Sequence, residues 1–227
     1  VLFRSATPKA EKMVQYDLTQ KIVPYLDPHL VLPLLRFLEG TGMYNAKDML
    51  KAEVDLLSKT NMVDEAIDKA KQLAGTDDEP SDLVEKKEEI LEDSQEMQSK
   101  VKDLLELIDD DEKYGDMRKI KVVREIIQTF NLQPDAMESL FSFGKLQYEA
   151  GQYEMAFELL KHFRLLSMHD SDKSYMSKQL PAMWGQLASN ILDTSEEESQ
   201  SYVAELVLKL DESYESTALK LSRYELV

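Results

Sequence analysis

The groups able to do chemistry are sparse. The chain has 227 residues, three histidines (His29, His162, His169) and no cysteine. None of the histidines has a second histidine or a carboxylate at metal-binding helical spacing with a third ligand to complete a site. Each reads as a packing or surface residue. Without cysteine, disulfides, thiol nucleophiles and thiolate metal sites are excluded, a composition suited to a reducing compartment. Asp109-Asp110-Asp111-Glu112 suggests a cation site. A calcium loop starting at Asp109 would place Lys113, Tyr114 and Ile120 where an oxygen ligand, a glycine and a glutamate are required. The run therefore reads as an acidic loop between helices. No Gly-x-Ser-x-Gly elbow occurs. Gly40-Thr41-Gly42 lacks the lysine of a phosphate loop and reads as a helix terminator. Arg118, Lys119, Lys121 and Arg124 make one short basic stretch that could meet an acidic partner or RNA, with a solvated face as the default reading. The expectation is a non-enzyme with no catalytic, cofactor-binding or metal-ligating residues and no cofactor.

The elements that would have to position any site are helices. Hydrophobic residues are 43% of the chain, charged residues 31%, and there are only seven glycines. That balance fits a packed all-α protein. The net charge of −17 repels phosphate backbones, so direct nucleic-acid binding is not expected. The longest apolar cluster, Leu30 to Leu38, is interrupted by Pro33 and Arg36 and falls short of the roughly 18 residues a membrane span needs.

Residues 1–13 lack periodicity and are expected to be a non-native or disordered leader. Residues 14–75 are expected to form a four-helix block: Asp17–Leu26, with Leu18, Ile22, Val23 and Leu26 inward and kinked or shortened by Pro24; Pro28–Glu39, capped by Asp27 and irregular at Pro33; Asn45–Ser58; and Asn61–Leu73, closed by Gly75. Residues 76–115 hold one long charged helix, Ser81–Ile108, and the acidic loop. In that helix Leu83, Ile90, Met97 and Leu104 are spaced by seven, with Val101 and Ile108 four beyond the last two. Lys87 and Ser94 interrupt the seam. It suits either a helix lying on its own neighbours or a coiled-coil contact with another chain, and the six apolar residues are candidate partner-interface positions.

Residues 116–212 read as tetratricopeptide-like repeats. A helix is expected over Asp116–Phe130. In Leu140–Met168, Gly144, Gly151, Tyr153 and Ala156 follow at spacings of seven, two and three and resemble one tetratricopeptide repeat. Gly144 and Ala156 would be small where two antiparallel helices touch, Gly151 would turn the chain, and Tyr153 would cover the corner. A helix over Leu180–Leu192 carries the only tryptophan, Trp184. Thr194-Ser195-Glu196-Glu197 would cap another with Val203, Leu206, Val207 and Leu210 inward. Residues 213–227 read as a truncated end. The expected fold is all-α, a helical-repeat right-handed arch or solenoid with the long charged helix in its middle.

Four stretches, YDLT, LDPHLVLPLLRFLE, MYNAKDML and VDLLSKTNMVDEAID, lie between Tyr16 and Asp68. They resemble the amino-terminal region of the family of E subunits of eukaryotic translation initiation factor 3. The resemblance resumes in GKLQYEAGQYEMAFELL, HFRLL and MWGQLASNIL. In that family, tetratricopeptide-like helices lead into a winged-helix PCI domain, which is expected to be absent from this sequence. The resemblance implies a cytoplasmic, non-catalytic scaffold subunit that supports pre-initiation complex assembly. Its partners would be other subunits of translation initiation factor 3 and, through the complex, the small ribosomal subunit, with no membrane. Alternatives with the same helical character are a proteasome-lid or signalosome-type scaffold subunit and an autonomous peptide-binding helical-repeat module.

Overall fold

A computed structural model describes residues 18–193 and 207–208, and every regular element among them is a helix. The chain divides into two units, residues 1–93 with 149–151 and residues 94–148 with 152–227. The boundary falls inside one helix.

In the first unit, α1 (Thr19–Ile22) passes directly into a 3-10 turn, Val23–Tyr25. The expected helix through Leu26 is shortened because Pro24 has no N–H to give to the preceding turn. Val23 and Leu26 pack on the core, but Leu18 and Ile22 are exposed rather than inward. Helix α2 (Pro28–Gly40) begins with Asp27 accepting the His29 backbone N–H at 2.9 Å. It is helical throughout, so the irregularity expected at Pro33 is absent. The Pro33 ring lies on the exposed side while Val31, Leu32, Leu35 and Leu38 are buried. Their burial offsets the roughly 3 kcal/mol that an interior proline costs a helix.

Helix α3 (Ala46–Leu57) is capped by Asn45, which accepts the N–H groups of Lys47 and Asp48 at 2.9 and 3.4 Å. Helix α4 (Val63–Ala74) ends at Gly75, where φ of +71° suits glycine. Helix α5 (Ser81–Ile108) is 28 residues long. Its Lys86 donates to the carbonyls of Ser58 and Thr60 at 3.0 and 2.7 Å, satisfying groups left over where α3 ends.

One buried carboxylate ties α2, α3 and α4 together. Glu53, 4% exposed, accepts from Arg36 Nε at 3.1 Å and Lys69 Nζ at 2.8 Å. Arg36 also pairs with Glu65. Glu149, the last residue of a later helix and counted with this unit, accepts the Asn61 backbone N–H at 3.0 Å and its side-chain amide at 3.1 Å.

The second unit holds the later turns of α5, then α6 (Asp111–Lys119), α7 (Val123–Thr129), α8 (Ala136–Glu149), α9 (Tyr153–Ser167) and α10 (Met176–Leu192). The acidic run is a helix start rather than a loop. Asp110 accepts the Lys113 N–H at 3.1 Å, and Asp111 and Glu112 occupy the first turn, where the helix dipole favours anions. The bond to the Lys113 backbone, reinforced by the Lys113 side chain, holds the Asp110 carboxyl below its ordinary range.

The helix expected over Asp116–Phe130 is broken at Ile120–Val122, among β-branched residues that are poor helix formers. The break lets the α9–α10 loop cap α7 from a distance. Asp170 accepts the Val123 N–H at 3.2 Å and the Ser174 N–H at 2.9 Å, and the Ser171 N–H donates to the Lys121 carbonyl at 2.8 Å. Val101, Leu104, Met117, Ile126, Met137, Leu140, Phe163 and neighbours fill the core. Of the helix expected after Thr194, only residues 207–208 lie within the described residues.

Two consequences follow for stability. Glu53→Ala removes the buried acceptor shared by Arg36 and Lys69, while Arg36 keeps Glu65, and is expected to cost about 1–3 kcal/mol in urea unfolding, whereas Lys87→Ala, which removes only the exposed pair with Asp64, leaves the midpoint in place. Asp170→Ala removes the distant cap of α7 and is expected to cost about 1 kcal/mol, with faster hydrogen exchange at Val123.

Candidate docking seam and repeat corner

The heptad seam of α5 points inward. Leu83 is buried with Leu57, Val63, Ala66 and Ile67, and Ile90 packs on the same cluster. Val101, Leu104 and Ile108 lie in the core of the second unit, with Met97 against it. Four of the six candidate interface residues are thus buried within this chain, and Ile90 and Met97 are partly buried against its cores. Spacing alone cannot tell a partner in the same chain from one in another. At the interruptions, Lys87 bonds Asp64 at 2.5 Å and Ser94 is half-buried.

At the expected repeat corner Gly151 turns the chain at φ of +80°, and the rings of Tyr148 and Tyr153 lie 5.7 Å apart on either side of the turn. A methyl group on Gly144 would fall 3.0 Å from Leu160 and 3.3 Å from the Leu159 Cβ, and Ala156, one turn before Leu160 on α9, is fully buried. A second glycine, Gly185 of α10, approaches Leu160 from another side, and a Cβ there would be 2.6 Å from Leu160 Cδ1. Leu160, 2% exposed, thus has a glycine in each flanking helix. Gly185 was legible only as a glycine placed inside a helix, where it costs about 1 kcal/mol against alanine without a packing reason.

The same three-helix contact contains polar groups. The Arg164 guanidinium donates to the side-chain carbonyl of fully buried Gln186, whose amide reaches the Phe157 carbonyl at 3.5 Å. Ser167 donates to the Phe163 carbonyl at 2.5 Å and accepts from Gln179 at 2.7 Å.

The histidines are not brought together. His29 is buried in the first unit, and burial lowers its pKa against the opposing pull of Asp27 and Glu149. His162 Nδ1 lies 2.8 Å from the Tyr114 hydroxyl and Nε2 lies 3.5 Å from Glu158. Burial lowers its pKa too, and raises that of Tyr114. His169 is exposed. Among the described residues no group of three potential metal ligands converges. The basic stretch is largely spent locally: Arg118 stands 5.8 Å over the Tyr114 ring, Lys119 pairs with Asp116 at 2.8 Å, and Arg124 pairs with Asp172 at 2.6 Å. Among the described residues no helix is long and apolar enough to cross a membrane. The sequence did not single out Tyr25 and Phe37, which lie 87% and 67% exposed on the first unit.

A family model described as the eIF3 subunit 6 N terminal domain matches residues 17–147. The E subunit of eukaryotic translation initiation factor 3 from Yarrowia lipolytica is 36% identical over 208 residues, which is 91% of this chain and 46% of the relative. The E subunit of Aspergillus niger is 40% identical over 183 residues (80% and 39%), and that of Aspergillus oryzae 38% over 204 (89% and 43%). The chain spans less than half the length of these curated relatives.

The packing around Leu160 makes a signed prediction. Gly185→Ala is expected to destabilise, because overpacking costs about 1–3 kcal/mol and exceeds the roughly 1 kcal/mol gained in helix propensity. In a Leu160→Ala background the clash is gone, so the same change should become neutral or stabilising in a urea double-mutant cycle. Acidification gives a second test. With the folded pKa values of His29 and His162 held below 6.5, the unfolded chain takes up protons first. Their contribution is intact above pH 6.5 and is lost as pH falls through the folded values. The urea midpoint should drop across that window, and His162→Gln should reduce the drop.

Proposed function

The chain belongs to the eIF3 subunit 6 family, whose curated relatives are E subunits of translation initiation factor 3, and on that premise we propose that it acts as a non-catalytic scaffold subunit of that factor. In this reading it supports assembly of the pre-initiation complex on the small ribosomal subunit. Its partners are the other subunits of the factor, it meets the ribosome through them, and it works in the cytoplasm. It makes no direct nucleic-acid contact, in keeping with its charge of −17. Its helices are read as a tetratricopeptide-like right-handed arch or solenoid, an architecture that puts its energy into packing and extended binding surfaces rather than chemistry.

The observation that carries the reading is the similarity to the E-subunit relatives over 80–91% of this chain.

The test is recovery of the tagged protein from a eukaryotic lysate followed by mass spectrometry. Co-purification of initiation factor 3 subunits with small-subunit ribosomal proteins is expected. Recovery of proteasome-lid subunits without initiation-factor subunits would overturn the reading.

A further inference from the structure

We propose that Thr76 is a phosphorylation site for an acidophilic serine/threonine kinase. Most hydroxyls of the first unit near helix ends are committed. Thr41 donates to the Leu38 carbonyl at 2.6 Å, Ser58 to Asp55 at 3.1 Å, and buried Thr60 to Leu57 at 2.9 Å. Thr76 differs in presentation. It lies in the exposed, non-helical stretch between α4 and α5, where residues 74–79 are all exposed. Its backbone is nonetheless ordered: Gly75 takes the left-handed conformation, and the N–H groups of Gly75 and Thr76 reach the Lys71 carbonyl at 2.8 and 3.4 Å. Thr76 is thus an exposed residue at an ordered corner, followed by an exposed, non-helical segment that the Lys71–Glu79 pair holds at its far end. Asp77, Asp78 and Glu79 follow it directly and would meet basic groups lining such a cleft.

Thr76 Oγ attacks the γ-phosphorus of ATP. The bond from that phosphorus to the β,γ-bridging oxygen breaks and ADP leaves, while the hydroxyl proton passes to the kinase's carboxylate base.

The surroundings determine what the phosphate would do. Thr76 and Lys71 line one shallow depression with Gln72, Gly75 and Asp77. Lys71 clips Glu79 at 2.7 Å. A phosphate carrying nearly two negative charges competes for Lys71. It also stands at the carboxy-terminal end of α4, where the helix dipole disfavours an anion. Phosphorylation should therefore release the clip and loosen the last turn of α4.

The experiment treats the folded full chain with an acidophilic casein kinase and ATP, then maps phosphate by mass spectrometry and follows amide hydrogen exchange. Phosphate on Thr76 is expected, with faster exchange at Gly75 and Thr76. Thr76→Val should abolish that modification with circular dichroism unchanged. Asp77→Asn/Asp78→Asn/Glu79→Gln should slow it at least about tenfold through lost electrostatic attraction. The proposal is overturned if phosphate appears only at Thr194 or Ser195, which precede a similar acidic run. It is equally overturned if Thr76 is modified in a peptide of residues 70–85 but not in the folded chain, or if the triple variant reacts at the same rate.

Discussion

Leu160 occupies space that no other side chain could share. Gly144 on α8 and Gly185 on α10 each leave out the methyl group that would strike it. The close approach of three helices around one leucine sets where the rest of α9 falls. Phe163 lands in the core against Phe141 and Tyr175, with ring centroids 5.1 and 5.8 Å away. Arg164 lands beside Gln186. Because interiors pack as densely as organic crystals, such a wedge cannot be widened without moving whole helices. The tetratricopeptide-like signature marks this contact, but half of the socket, Gly185, lies beyond the repeat that announces it.

The first unit solves its packing differently. Its helices meet around a carboxylate as well as around apolar surface. Glu53 receives a cation from α2 and another from α4, so three helices are fixed in register by one residue. A buried charge is costly unless it is fully paired. The arrangement therefore supplies specificity of helix placement as much as stability. Lys86 adds a smaller tie of the same kind, with α5 closing the end of α3.

Polar groups near helix ends have structural work. Asp27, Asn45 and Asp110 cap their own helices, and Asp170 caps a helix 47 residues away. The groups that looked most like a metal site or a nucleic-acid patch are consumed in this way. Asp109 to Glu112 opens α6, and the basic residues after it pair locally.

Much was decided by local physics and so was legible in the sequence. The all-helical class follows from few glycines and dense helix formers. The caps at Asp27 and Asn45 and the terminators at Gly42 and Gly75 follow from short-range backbone needs. The left-handed turn at Gly151 belongs to the same class. The motifs between Tyr16 and Leu192 were enough to identify the family. Tertiary structure decided whatever depended on which surface meets which. The seam of α5 was visible as a period, but only packing shows it covered by this chain's own cores. Pro33 looked like a break, yet burial on the opposite face carries the helix through it. Asp116 to Phe130 looked continuous, yet a cap supplied by Asp170 holds it open at Val123. Gly144 looked like the point where two helices touch, and the side chain nearest to it is Leu160. Periodicity records that a face is apolar or a residue small, and the identity of its neighbour is set only when distant segments compete for the same volume.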